Sequence, residues 1–142
     1  MIKTFYIGKS YGSSMKPLIN EGDKLYIQKA KIAELKIGEV IVFYNEKKLI
    51  SHRVIKKTNK FVVTKGDNNL FIDPPISNKH ILGRIMRISG KYGDLDFTTL
   101  KARFIQYYFL FRSLIIYYIP RIIGKVLSKL LVGRQILTRL MD

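Results

Sequence analysis

Four side chains between residues 14 and 73 have the types that hydrolysis by an activated nucleophile uses. Ser14 lies in Gly12-Ser13-Ser14-Met15-Lys16-Pro17, a loop ahead of β structure, where a hydroxyl can face solvent. A serine hydroxyl is a poor nucleophile until a base takes its proton. His52, within the run Ile50-Ser51-His52-Arg53-Val54, is the candidate base. On a strand it points away from Ser51 and Arg53 and shares a face with Ile50 and Val54, which makes it partly buried. Asp67, in Lys65-Gly66-Asp67-Asn68-Asn69, and Asp73, ahead of Pro74-Pro75, are the candidate carboxylates. Such a group holds the imidazole tautomer and stabilises the imidazolium, and the residues alone leave open which aspartate is in reach. Each position also has a plainer reading. A loop serine satisfies a turn, a core histidine bonds backbone, and a turn aspartate braces its own loop.

Composition narrows the chemistry. The chain has 142 residues, which fits one domain with an appendage. It has no cysteine, so thiol nucleophiles, disulfides and thiolate zinc sites are excluded. Its 2 histidines, His52 and His80, are too few for most histidine-rich metal sites. The formal net charge of +16 points to an anionic partner, nucleic acid or a membrane face, or else to a lysine-rich surface. The mixed first twelve residues are expected to hold neither a signal peptide nor a membrane span.

The elements that must position these groups are mostly strands. Residues 24–28 (KLYIQ) alternate, and residues 39–44 (EVIVFY) are continuously apolar and β-branched. Residues 49–56, 60–64 and 80–89 continue the pattern, with turn signals between them. Short strands at this spacing predict a mainly β domain over residues 1–98, small, coiled and barrel-like. Residues 30–37 read as a helical turn or a loop. From residue 99 to 142 the character changes to a basic, apolar helical segment. Residues 104–119 are apolar and aromatic around Arg112, and Pro120 is expected to break or kink the helix. Beyond it Arg121, Lys125 and Lys129 recur at i, i+4, i+8, opposite Ile122, Ile123, Val126, Leu127, Leu130 and Leu131.

Taken in order, these segments resemble the boxes of the type I signal peptidases. Ser14-Met15-Lys16-Pro17 looks like the Ser-Met-x-Pro nucleophile box, and Gly22-Asp23 with residues 24–27 resembles the next. Gly38-Glu39-Val40-Ile41-Val42-Phe43 is similar to the Gly-Asp-(Ile/Val)-Val-Val-Phe strand. Ser51-His52-Arg53-Val54-Ile55 resembles the base-bearing box, Thr64-Lys65-Gly66-Asp67-Asn68-Asn69 the last box, and Ile81-Leu82-Gly83-Arg84 the closing strand. The ordered set covers roughly residues 10 to 90. Most bacterial members carry lysine at the base position. His52 resembles instead the branch of the endoplasmic reticulum, which also occurs in archaea and some bacteria.

The resemblance implies a serine endopeptidase. Ser14 would attack the scissile carbonyl while His52 moves the proton. Asp73 is favoured as the partner of His52, with Asp67 supporting the site. Cleavage would follow small residues of a peptide or preprotein docked as an extended strand, and no metal or organic cofactor is required. The candidates for oxyanion and substrate contacts are Ser13, Ser14, Met15 and Pro17, with the Ser14 N–H first. Three departures from the family are expected. Gly12 stands where many members have a hydroxyl-bearing serine, and neither the usual N-terminal anchor nor the large inserted β region is expected here. Residues 99–142 are expected to supply attachment instead, as an interfacial helix with Arg112, Arg121, Lys125 and Lys129 toward lipid headgroups. The competing reading packs that helix on the domain or on a partner protein. Membrane association is therefore expected, with either face of the membrane open. Nucleic-acid binding is not expected, since its modules are absent from the sequence. Rival functions are a self-cleaving repressor domain, a dedicated leader or propeptide peptidase, and a catalytically silent domain that binds peptides or membranes. A self-cleaving repressor would use lysine as base and carry a DNA-binding domain.

Overall fold

The computed structural model describes the backbone of residues 5–91 and 93–141 and the side chains of residues 6–91 and 93–128. The alternating and β-branched runs form strands where they were expected: β2 (Lys24–Gln28), β3 (Val40–Asn45), β4 (Lys48–Lys57), β5 (Phe61–Lys65) and β7 (Ile81–Gly90). Three further strands carry weak patterns of their own: β1 (Phe5–Lys9), β6 (Ile76–Ser77) and β8 (Gly93–Asp96). They exist through pairing, β1 with β2, β6 with β5 and β8 with β7. Residues 30–37 contain one short 3-10 turn, Ile32–Glu34, where the Lys31 N–H donates to the Glu34 carboxylate at 2.9 Å.

All eight strands belong to one antiparallel sheet in the order β1-β2-β7-β3-β4-β5-β6, with β8 beside β7. The sheet does not close, which corrects the barrel-like expectation: β1 and β6 end the path without pairing each other. The register shifts at Tyr26/Ile27, Val42/Phe43 and Val54/Lys56, and such bulges bend and twist a strand. β3 is buried on both faces. Val40 and Val42 join Met15, Ile19, Leu25, Ile27, Ile85 and Ile88 in one apolar cluster, whereas Ile41 and Phe43 join Leu35, Val54, Val62 and Ile76 in another.

The segment after the sheet forms one helix, α1 (Leu100–Met141). Thr99 caps it, its hydroxyl accepting the Ala102 N–H at 3.2 Å. The expected break at Pro120 does not occur, and the helix runs through it. The pyrrolidine removes one donor, that for the Ile116 carbonyl, from an otherwise continuous ladder. The first half of α1 lies on the β domain, with Ala102 inside the first apolar cluster and Ser113 fully buried. Among the described residues no helix is long and apolar enough to cross a membrane.

Candidate active site

β4 places two candidate side chains side by side on opposite faces. His52 and Arg53 are both buried, His52 at 5% exposure and Arg53 at 0%. His52 lies across from Ile41 and beside Phe43, whose ring meets the imidazole edge-on at 6.1 Å. Its Nδ1 is 2.6 Å from the Asp73 carboxylate. The same Asp73 oxygen accepts the Thr64 hydroxyl at 2.6 Å, and the Asp73 N–H donates to the Thr64 carbonyl at 2.8 Å. A carboxylate pinned in this way favours the tautomer with hydrogen on Nδ1, leaving the Nε2 lone pair free to take a proton.

Asp67 has a different partner. Arg53 donates to it twice, from Nε at 2.7 Å and from Nη2 at 2.6 Å, and a third donor reaches the Gly38 carbonyl at 2.7 Å. Both members of the pair are fully enclosed. Asp67 is therefore tied to the Ser14 loop through the turn that contains it. The Asn68 N–H donates to the Ser14 carbonyl at 2.8 Å, and the Asn68 amide reaches the Ser13 carbonyl at 3.4 Å. The Asp67 N–H points at the Met15 sulfur at 3.5 Å. Gly66 permits this approach, since a Cβ there would stand 2.8 Å from the Ser14 carbonyl oxygen and 2.7 Å from the Asn69 amide. At the loop's other end Gly12 adopts φ +86°, a conformation glycine takes without strain.

Ser14 and His52 line one groove of about 590 Å³. Ser10, Tyr11 and Gly12 border it on one side and Lys48, Leu49 and Ser51 of β4 on another, with Met15, Leu25, Ile27 and Val42 also lining it. Among the described residues, two strand edges beside it are unpaired. β1 pairs only with β2, and β4 meets β5 only from Arg53 onward, leaving residues 48–52 without a neighbour opposite β3. The Ser14 hydroxyl is half-buried and makes no hydrogen bond, to His52 or to any other described residue. Both it and His52 Nε2 reach solvent, because no enclosed side-chain nitrogen or oxygen lacks a partner among the described residues. The Ser14 N–H also has no described protein acceptor. Ser13 and Pro17 are exposed, while Met15 is buried under the loop.

Lys65 lies outside the residues assigned to the site from the sequence. It is fully buried, and its ammonium donates to the Ser113 hydroxyl of α1 at 2.9 Å and to the Gly66 carbonyl at 3.0 Å. Burial holds its pKa below the ordinary 10.5; Asp67 opposes that shift, and Arg112, Arg121 and Arg53 reinforce it. Lys65 and Ser113 have the types of a serine–lysine nucleophile pair, but both are fully enclosed. No substrate reaches them, so the pair braces α1 against β5. The contributions of Thr64, Gly66 and Asn68 also escaped the sequence, although all three sit in or beside the Gly-Asp-Asn-Asn turn.

The basic residues expected to face lipid are divided. Arg112 reaches the Asp67 carbonyl at 3.5 Å. Arg121 donates to the Leu70 carbonyl at 3.3 Å and to the Tyr117 carbonyl, and lies over the Tyr117 and Phe71 rings. These two therefore turn to the β domain, where the Asp67 and Leu70 carbonyls accept them, rather than forming one outward cationic face. Lys125 is exposed, and the Lys129 side chain lies outside the described residues. Among the described residues no cluster of His, Asp and Glu could hold a metal ion. In comparisons with known proteins, no protein-family model matches the chain, and no curated protein does.

Proposed function

We propose that the protein is a serine endopeptidase of the signal-peptidase type, working at a membrane surface with Ser14 as nucleophile, His52 as base and Asp73 as its orienting carboxylate. One observation carries the reading: Ser14 and the Asp73-held imidazole open into a single groove flanked by unpaired strand edges. An extended peptide can add to such edges through backbone hydrogen bonds. Ser14 Oγ attacks the scissile carbonyl and passes its proton to His52 Nε2. The unpartnered Ser14 N–H donates to the developing oxyanion. His52 returns the proton to the leaving amine, and water then releases the acyl-enzyme with the same histidine as base. The ordered sequence boxes support cleavage after small residues, and the apolar lining of Met15, Leu25, Ile27 and Val42 suits short aliphatic side chains.

The absent Ser14–His52 hydrogen bond favours a second reading, a domain of the same architecture that holds peptides without cutting them. Apo catalytic bonds are often long and tighten only with substrate, and one assay separates the readings. Purified protein in detergent is incubated with a peptide bearing an Ala-x-Ala site, beside Ser14→Ala and His52→Ala. Cleavage lowered by several orders of magnitude in both variants supports the peptidase. Peptide binding without cleavage in the wild type establishes the silent domain, and equal cleavage by Ser14→Ala removes Ser14 as nucleophile.

A further inference from the structure

Helix α1 shows an unusual division of its residues. Within the stretch that lies on the β domain, Gln106, Arg112, Ser113 and Arg121 all make polar contacts to it. The opposite side is apolar. Phe104, Tyr108, Phe111, Ile115, Tyr118 and Ile122 recur at spacings of four and three and are all exposed, Phe104 at 73% and Phe111 at 67%. That is one straight stripe about 27 Å long at helical rise. A helix apolar on the side away from its own domain requires a second partner for that side. Beside it lies the 70–72 loop, with three consecutive exposed apolar residues, Leu70 at 55%, Phe71 at 73% and Ile72 at 41%. Arg121 ties the loop to the helix through the Leu70 carbonyl and the Phe71 ring.

Charge says what the partner is. The helix contains no acidic residue, whereas Lys101 and Arg103 stand at one end of the stripe and Lys125 at the other. The chain as a whole carries +16. Tyrosine and phenylalanine between flanking cations match the headgroup region of an anionic bilayer, where aromatic rings sit at the water boundary and cations meet phosphate. No described helix can cross the membrane, so the stripe would lie in the interface plane.

We propose that the outward stripe of α1 and the 70–72 loop form one surface that seats on an anionic lipid interface, with the β domain held on the water side. This deepens the membrane part of the proposed function and does not depend on its chemistry. It reverses the orientation drawn from the sequence, because Arg112 and Arg121 serve the domain and the aromatic stripe serves the lipid. The surface ends one residue from the catalytic machinery, since Ile72 precedes Asp73, the partner of His52. Seating the loop would thus fix the chain beside the orienting carboxylate.

The experiment compares full-length wild type with Phe104→Ser/Phe111→Ser and with Phe71→Ser, checking by circular dichroism that each variant folds. Co-sedimentation is measured with vesicles of phosphatidylcholine alone and with added phosphatidylglycerol, and cleavage is followed on a water-soluble peptide. Wild type should bind the anionic vesicles far better. The double variant should lose roughly tenfold or more of that binding, in line with the removal of two large apolar side chains. Phe71→Ser should lose part of it, and soluble-peptide cleavage should stay within about twofold of wild type in both variants. Equal vesicle binding by wild type and a folded double variant overturns the surface alone. No vesicle binding by wild type, with concentration-dependent self-association that the double variant abolishes, assigns the stripe to a second copy and overturns the lipid proposal. Failure of every protein to cleave the peptide touches only the peptidase reading.

Discussion

Replacing Asp67 by asparagine isolates what the enclosed ion pair does. Asp67 accepts two hydrogen bonds from Arg53, and both side chains are at 0% exposure. Asparagine keeps one acceptor oxygen but sets an amide donor against an arginine donor, and it leaves a guanidinium charge buried near Lys65 and Arg112 without a counter-charge. Breaking one member of a buried pair costs about 3–5 kcal/mol. For a chain of this size that corresponds to a fall of roughly 10–20 °C in Tm. Thermal and urea unfolding of wild type, Asp67→Asn, Arg53→Met and the double variant Arg53→Met/Asp67→Leu measure it. The double variant should regain most of the loss, because two apolar groups leave no orphaned charge. A loss below about 1 kcal/mol in Asp67→Asn, or a double variant no better than either single, would refute the assigned role. Activity of Asp67→Asn, assayed well below its Tm, should also fall, since its turn holds the Ser14 carbonyl through Asn68.

Asp73→Asn should behave in the opposite way. Its side chain is 21% exposed and bonds His52, so cleavage should drop by several orders of magnitude through loss of tautomer control, while the urea midpoint moves little; an active Asp73→Asn would remove it from the mechanism. Gly66→Ala would put a methyl 2.8 Å from the Ser14 carbonyl. The resulting shift of the Ser14 loop should cost about a hundredfold in kcat/KM, and a wild-type rate would show that the loop does not need this approach. Lys65 supplies a pH dependence. Its folded pKa lies below 10.5, so over the window between the two values the unfolded chain binds more protons, and stability rises with pH there. The penalty is full below the folded value and vanishes near the unfolded one. Lys65→Met should flatten that alkaline rise in urea midpoints, and identical slopes in the two proteins would contradict the assignment.

The sequence by itself located most of the strands and the turns between them, because alternation and β-branched runs are local signals. It also singled out Ser14, His52, Asp67 and Asp73 as chemistry-bearing, through residue type and order. Tertiary structure decided which aspartate meets which base. His52 and Asp73 are 21 residues apart and Arg53 and Asp67 are 14 apart, so both matches depend on how β4 registers against β5 and where its bulge falls. β1 and β8 could not be read from their own residues, since each is held by a neighbour's hydrogen bonds. The orientation of α1 was hidden most completely. Over residues 104–119 apolar side chains lie on nearly every side, so periodicity chooses no face there, and the docking is set by the buried Lys65, Arg53 and Asp67 beneath it. Those groups demand polar partners, so Ser113, Arg112 and the Gln106 carbonyl turn inward and the aromatic stripe is left outside.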